Sequence, residues 1–348
     1  MIFSFKLINT SLILAFPLIL AACASNGHVN HANDGELAML KGNADNFNET
    51  DAKTSGEASN NQDAHAKANE AFQENDLDRA LYYYVKAVEF NPKDVKALLA
   101  IAKIHTAMRH NAPSMLAYRM ILKIAENNIQ AMEGLGLILL KNDQIKQAQI
   151  MLEKVNQADP QRAETLIGLA IIRDLNSDFD NAESYYEQAL VVTPKLPRLI
   201  NNYAYSRYLA GDWRKAEHYF QYLLEIAPNH VQGILNYGLL QTRQGKSSEA
   251  LQNFKKILSG AEAYNELGYI HMLLKEYDKA KLLFQLALGT SPTYFKQAHA
   301  NMEKLSILMA NSGQQSTQFK PAEDLNKIIG IDAEGNTGRS VSVNHSAG

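Results

Sequence analysis

The chain holds a single cysteine, Cys23, and ten histidines among its 348 residues. A lone thiol cannot close an internal disulfide or build a zinc site on several thiolates. None of the histidines forms H-E-x-x-H or another metal-ligating spacing. His105 and His110 stand five residues apart, which does not bring two ligands to one helix face. The sequence lacks a G-x-S-x-G elbow, a Walker A loop and a Rossmann glycine fingerprint. Acidic residues such as Glu217 and Glu225 fall where solvated helix faces are expected. No carrier of hydrolysis, phosphoryl transfer or dinucleotide redox chemistry is present, so a non-enzymatic protein with no metal is expected. What remains is binding chemistry: asparagine amides, which both donate and accept, and tyrosines, which join a rigid apolar ring to a polar tip.

Cys23 lies at the end of an address. The chain opens MIFSFKLINTSLILAFPLILAAC, with Lys6 as a short positive region and an apolar stretch over Leu7 to Ala22. As a helix that stretch spans about 24 Å, short of the roughly 30 Å bilayer core, and reads as a signal peptide. Leu20-Ala21-Ala22-Cys23 resembles the bacterial lipobox. That resemblance implies cleavage before Cys23 and a covalent diacylglycerol and N-acyl chain on its sulfur and amine; no other cofactor is expected. Ala24, where inner-membrane retention would place Asp, implies sorting to the outer membrane of a Gram-negative bacterium, facing the periplasm. Residues 23–62 are rich in Asn, Asp, Ala, Ser, Gly and Glu without an apolar period. They read as the lipidated Cys and a disordered tether, a coil of roughly 35 Å end to end.

The rest of the chain repeats. Ala80, Ser114, Ala148, Ala182, Ala216 and Ala250 follow at intervals of 34 residues. Four residues after each stands Tyr84, Tyr118, Leu152, Tyr186, Phe220 or Phe254, and Pro92, Pro160, Pro194 and Pro228 close four of the units. A seventh unit, with Ala280, Phe284, Ala287 and Pro292, follows after 30 residues. Upstream small residues at Ala68, Ala102, Gly136, Ala170, Ala204, Gly238 and Gly268 let a first helix approach a second, whose large residues share a buried face. The period and residue types resemble the tetratricopeptide (TPR) repeat. The fold class expected is all-α: a right-handed solenoid of about seven helix pairs over residues 63–311. A capping helix over about Tyr294 to Ala310 should cover its last open face. The second unit is degenerate, with Glu126 at the proline position, and the sixth is short, ending Leu258-Ser259-Gly260. Residues 312–348 read as a mostly disordered tail.

Composition narrows the partner. Lys+Arg total 34 against 37 Asp+Glu, a net charge of -3, with no basic stripe, so no nucleic acid is expected. In TPR proteins the first helix of each pair lines a groove that takes peptides. The family's groove positions fall on Arg198, Asn201, Asn202, Tyr205 and Tyr208 in the fifth unit. They fall on Leu235, Asn236, Leu239 and Arg243 in the sixth, and on Asn265, Tyr269 and Met272 in the seventh. This patch suits an extended protein segment with apolar side chains and no small-molecule substrate. Earlier units offer Lys103, Glu133, Leu137, Ile171 and Asp174, a mixture without a theme. Three stretches, Asn201-Asn202-Tyr203-Ala204 with Gly211-Asp212, Tyr264 to Tyr269, and Ser291 to Tyr294, together with the lipobox, resemble the TadD lipoproteins of the Tad (Flp) pilus system. The resemblance implies a pilotin-like scaffold that helps a pilus secretin localise or assemble. Alternatives are a type IV pilus pilotin and an NlpI-type scaffold for peptidoglycan hydrolases.

Overall fold

A computed structural model of the chain describes residues 34–41 and 56–312. Cys23, the signal segment 1–22 and the tail from residue 313 lie outside the described residues. Sixteen helices and no strand are present among those described. The first is α1 (Asp34–Lys41). Seven helix–turn–helix repeats follow: α2 (Asn61–Gln73) and α3 (Leu77–Phe90), α4 (Val95–Ala107) and α5 (Asn111–Ile124), α6 (Ile129–Lys141) and α7 (Ile145–Ala158), α8 (Ala163–Leu175) and α9 (Phe179–Val192), α10 (Pro197–Leu209) and α11 (Trp213–Ile226), α12 (Val231–Arg243) and α13 (Ser247–Phe254), and α14 (Gly260–Leu273) and α15 (Tyr277–Thr290). The helices of the first three and of the last three repeats pack as pairs. The last helix is α16 (Lys296–Ser312). The described residues divide into two compact units, one up to residue 172 and one from residue 173.

The pairs form for the reasons the spacing predicts. The small residues of the motif are fully buried: Ala68, Ala80, Ala102, Ser114, Ala148, Ala170, Ala182, Ala204, Ala216, Ala250 and Ala280. The large residues four positions on, among them Leu152, Tyr186, Phe220, Phe254 and Phe284, are buried against them. Turns within each pair also repeat. Asn75, Arg109, Asp143, Ser177, Gly211, Gly245 and Lys275 all adopt positive φ, between 59° and 83°. In six of them the next residue's N–H closes the turn on a carbonyl five positions back, as in Asp76 to Ala71 and Glu276 to His271, both 2.9 Å. Glycine occupies only two of these left-handed positions, so sequence reading by glycine alone finds only part of the set. Helix starts are capped by Asn60, Asp76, Asp94, Asn128, Asp212 and Ser259, whose side chains accept N–H bonds from the first turn.

The short sixth repeat loses its residues from one helix. α13 has 8 residues, where the other second helices of pairs have 14. A turn follows, with Leu258 N–H on the Phe254 carbonyl at 2.9 Å, and a capping box of Ser259 and Glu262 starts α14 at once. The capping helix stands two residues later than expected, with Ala298 and Leu305 buried and Met302 and Met309 packed on the core of Met272, Ala280 and Phe284.

The tether reading over 23–62 needs correction at residues 34–41. These form α1, which packs on α3 and α5. Leu40 is fully buried, its carbonyl accepts a 2.8 Å hydrogen bond from His105 Nε2, and Lys41 pairs with Glu89 at 3.2 Å. Eight residues are too few to hold a helix alone, so tertiary docking sets this one, which no local periodicity reveals.

Candidate functional site

The groove residues named from the sequence lie on α10, α12 and α14, all within the second compact unit. α10 starts on Pro197, whose fixed φ suits a first helical position. Its inner face, Leu199, Ile200, Tyr203, Ala204 and Arg207, is buried. That leaves Arg198, Asn202, Tyr205 and Tyr208 half-buried on the other side. The rings of Tyr205 and Tyr208 stack with centroids 5.7 Å apart and an interplanar angle of 26°. Both pack on a core of Ala204, Ala216, Phe220, Tyr237 and Leu240. Leu235 and Leu239, also half-buried, join Tyr264 on the core beneath α12 and α14. Tyr269 is half-buried, with the Lys304 ammonium 5.8 Å from its ring centroid. Burial pushes the Tyr205 phenol above its ordinary pKa, with Tyr208 adding to it, and draws the Arg198 guanidinium down. These rings and leucines form an ordered, partly apolar face suited to an apolar segment.

The asparagines do something else. Asn201 and Asn265 are buried, at 6% and 3% exposure. Asn236 Nδ2 donates to Asn201 Oδ1 at 3.1 Å, and Asn201 Nδ2 donates to Asn202 Oδ1 at 3.3 Å. Gln232 Nε2 donates to Asn236 Oδ1 at 3.0 Å, and Asn301 Nδ2 donates to Asn265 Oδ1 at 2.9 Å. The buried amides of Asn201 and Asn265 thus tie α10 to α12 and α14 to α16, because a buried amide must be satisfied within the fold, while Asn202 and Asn236 stay half-buried. Met272 is likewise core, and Arg243 is exposed, its guanidinium 5.6 Å from the Trp213 ring centroid. Among the earlier candidates, Glu133 is buried and accepts from Arg162 at 3.0 and 2.5 Å and from Thr165 at 2.7 Å.

Sequence reasoning missed Glu266. It follows Asn202 and Asn236 at the repeat offsets of 34 and then 30 residues, so the same groove position predicts it. It is half-buried, and burial pushes its carboxyl above the ordinary range.

One cluster has the geometry of a nucleophile and a base. Ser247 Oγ lies 3.1 Å from His271 Nε2, and His271 Nδ1 lies 2.5 Å from Glu276 Oε2. Ser247 and His271 are 5% and 1% exposed, which leaves no path for an acyl substrate to the hydroxyl. The cluster ties the start of α13 to α14 and its following turn.

A half-buried, hydrogen-bonded carboxylate lies in the same compact unit. Asp174 accepts from Ser206 Oγ at 2.6 Å and from the Tyr186 hydroxyl at 2.8 Å. Burial pushes its pKa up to about 6, against the opposing pull of Ser206, Tyr186 and Arg207. The folded protein therefore holds this proton more tightly than the unfolded chain. The ionised carboxylate costs stability in full above pH 6, and the cost is relieved as pH falls toward 4. Asp174→Asn should therefore gain stability relative to the parent as pH rises from about 4 to 7, by up to about 3 kcal/mol, in paired urea titrations. A pH-independent difference contradicts the assignment.

Among the described residues, no group of three or more His, Cys, Asp or Glu side chains is placed to hold a metal ion, and no helix is long and apolar enough to cross a membrane.

Residues 261–294, the seventh pair, match the tetratricopeptide repeat family model. No curated protein sequence matches the chain. A tetratricopeptide repeat protein from Parabacteroides merdae is similar in structure, with 19% identity, 71% of this chain and 98% of that one covered, and a TM-score of 0.54. Pseudomonas aeruginosa PilF is similar over 59% of this chain and 95% of its own, with 17% identity and a TM-score of 0.50. PilW, a widely conserved type IV pilus biogenesis factor, covers 69% of this chain and 97% of its own, with 19% identity and a TM-score of 0.45. At these identities the likeness to the first two establishes the fold alone: an all-α array of TPR-type helix pairs.

Proposed function

We propose that this chain is a lipid-anchored, non-catalytic scaffold that binds an extended segment of a pilus secretin along α10, α12 and α14. It acts at the periplasmic face of the outer membrane. The observation that carries the binding reading is the half-buried face of Tyr205, Tyr208, Leu235, Leu239 and Tyr269, prearranged by the core beneath it. Rings already ordered in the free protein lose little entropy on binding. Glu266, desolvated on the same face, selects a segment with a cationic or hydrogen-bond-donating group among its apolar residues. The lipobox Leu20-Ala21-Ala22-Cys23 supports the anchor, and the TadD-like stretches on α10 and α14 support the pilus assignment. Two acyl groups or more on Cys23 give the firm membrane attachment that one chain cannot.

The experiment joins both halves. Tyr205→Ala with Tyr269→Ala should weaken capture of a secretin segment by about tenfold or more, since aromatic anchors dominate such faces. Helical circular dichroism should be unchanged. Cys23→Ser should abolish metabolic palmitate labelling. Undiminished capture by the double variant overturns the groove reading, and persistent labelling overturns the anchor.

A further inference from the structure

The first compact unit carries a second docking surface, and the repeat itself shows what fills it. α1 lies in a slot between α3 and α5, the second helices of the first two pairs, over His105 of α4. One repeat further on, an open cavity of about 510 Å³ lies between α5 and α7 over α6. It is lined by Arg119, Leu122, Lys123, Leu139, Ile150 and Met151, among others. These stand 34 residues after Val85, Val88, Glu89, His105, Leu116 and Ala117. Val85, Val88, His105 and Ala117 are fully buried in the filled slot. In the open one their counterparts Leu122 and Met151 are half-buried, Leu139 is the covered floor at 2% exposure, and Ile150 beside them is 56% exposed. The surface is therefore a vacant copy of a helix-docking slot observed filled in the same molecule.

Three substitutions between the copies fix the chemistry of the occupant. In the filled slot Glu89 accepts an ion pair from Lys41 of α1. Its counterpart in the open slot is Lys123, and the counterpart of Val85 is Arg119, so the rim changes from anionic to cationic. Lys123 already reaches the nearest carboxylate of α1, Glu36, at 3.6 Å while its side chain stays 72% exposed. The floor changes from the polar His105 to Leu139, which removes the donor that held a carbonyl and leaves an apolar contact. We infer that the slot between α5 and α7 docks a short amphipathic helix of a partner protein, with apolar residues over Leu122, Ile150 and Met151 and carboxylates against Arg119 and Lys123. The inference is independent of the groove on α10, α12 and α14.

Fluorescence anisotropy on the full chain tests it, with a labelled amphipathic peptide of about 12 residues, long enough to lie along the slot. The peptide carries leucines on one face and glutamates elsewhere, and a second has lysine in place of each glutamate. The acidic peptide should bind at least about tenfold more tightly than the lysine one, as expected for charge complementarity at a rim. Ile150→Glu and Lys123→Glu should each weaken it by about tenfold. Glu36→Gln should leave it unchanged, which separates the slot from the Lys123–Glu36 pair. Ile150 and Lys123 are exposed, so circular dichroism should match the parent. Equal binding of both peptides, no binding, or binding indifferent to Ile150→Glu overturns the inference. So does binding lost only in Tyr205→Ala, which would place the peptide in the groove. Self-association in sedimentation velocity that Ile150→Glu abolishes would make a second copy the occupant and overturn the partner assignment.

Discussion

Phe254→Ala should lower the stability of the second compact unit by about 4 kcal/mol, read from the urea midpoint at constant slope. Phe254 is fully buried in a core with Ile234, Leu251, Ala263, Leu267 and Leu283. The Cε1–Cζ edge of its ring closes on α12 at Gly238. A Cβ built on that glycine would stand 2.2 Å from Phe254 Cε1 and 2.3 Å from Cζ. The contact can exist only with glycine there, so Gly238→Ala should also destabilise, by about 1–3 kcal/mol through overpacking. The short α13 offers no further turn on which the ring could re-seat. The decisive comparison is Gly238→Ala with Phe254→Leu. Leucine lacks the ring atoms that clash, so the double variant should be more stable than the sum of its parts by about 1 kcal/mol or more. Simple additivity would show that the ring does not set the helix approach.

Arg207→Met should cost the same compact unit about 3 kcal/mol, the lower end for breaking a buried ion pair. The guanidinium is 4% exposed, donates from Nη1 to Glu183 Oε2 at 2.5 Å and from Nη2 to the Phe179 carbonyl, and stands 5.8 Å from the Tyr203 ring centroid. Glu183 also accepts from the Tyr203 hydroxyl at 2.8 Å and from the Lys215 ammonium. Lys215 remains in the variant, which keeps the loss at the lower end. Burial opposes ionisation of Glu183, but Lys215, Tyr203 and Arg207 outweigh it and hold its carboxyl below the usual range. Such a group contributes stability above its unfolded pKa of about 4.3 and loses it as pH falls through the folded value. The defect of Arg207→Met should therefore be largest near neutrality and shrink below about pH 4. Lys215→Met, at a side chain one-third exposed, should cost about 1 kcal/mol or less. Equal losses for the two variants would contradict the buried-pair reading.

The helix pairs were legible because one physical rule repeats along the chain. A small residue facing a large one at fixed offsets is a statement about helix approach, and Ala216 with Phe220 or Ala250 with Phe254 carries it in the letters themselves. The seventh repeat, read as residues 261–294, is also the stretch that matches the family model. Spacing says which face a residue takes, not what that face touches. Asn201 and Asn265 stand at groove offsets, yet their amides close on Asn236 and Asn301 from neighbouring helices, a pairing visible only in three dimensions. α1 escaped because Leu37, Met39 and Leu40 are too few to set a period, and their partner His105 is 65 residues from Leu40. Glu266 could have been found by carrying the shortened 30-residue offset through every position.

The most direct test of the central claim is a cross-linked capture of the lipidated protein from intact cell envelopes, read by mass spectrometry. The scaffold account predicts a secretin together with pilus-assembly proteins, with the secretin lost in the Tyr205→Ala, Tyr269→Ala variant. Recovery of peptidoglycan hydrolases without a secretin would contradict the pilus assignment and make the chain an envelope scaffold of another kind.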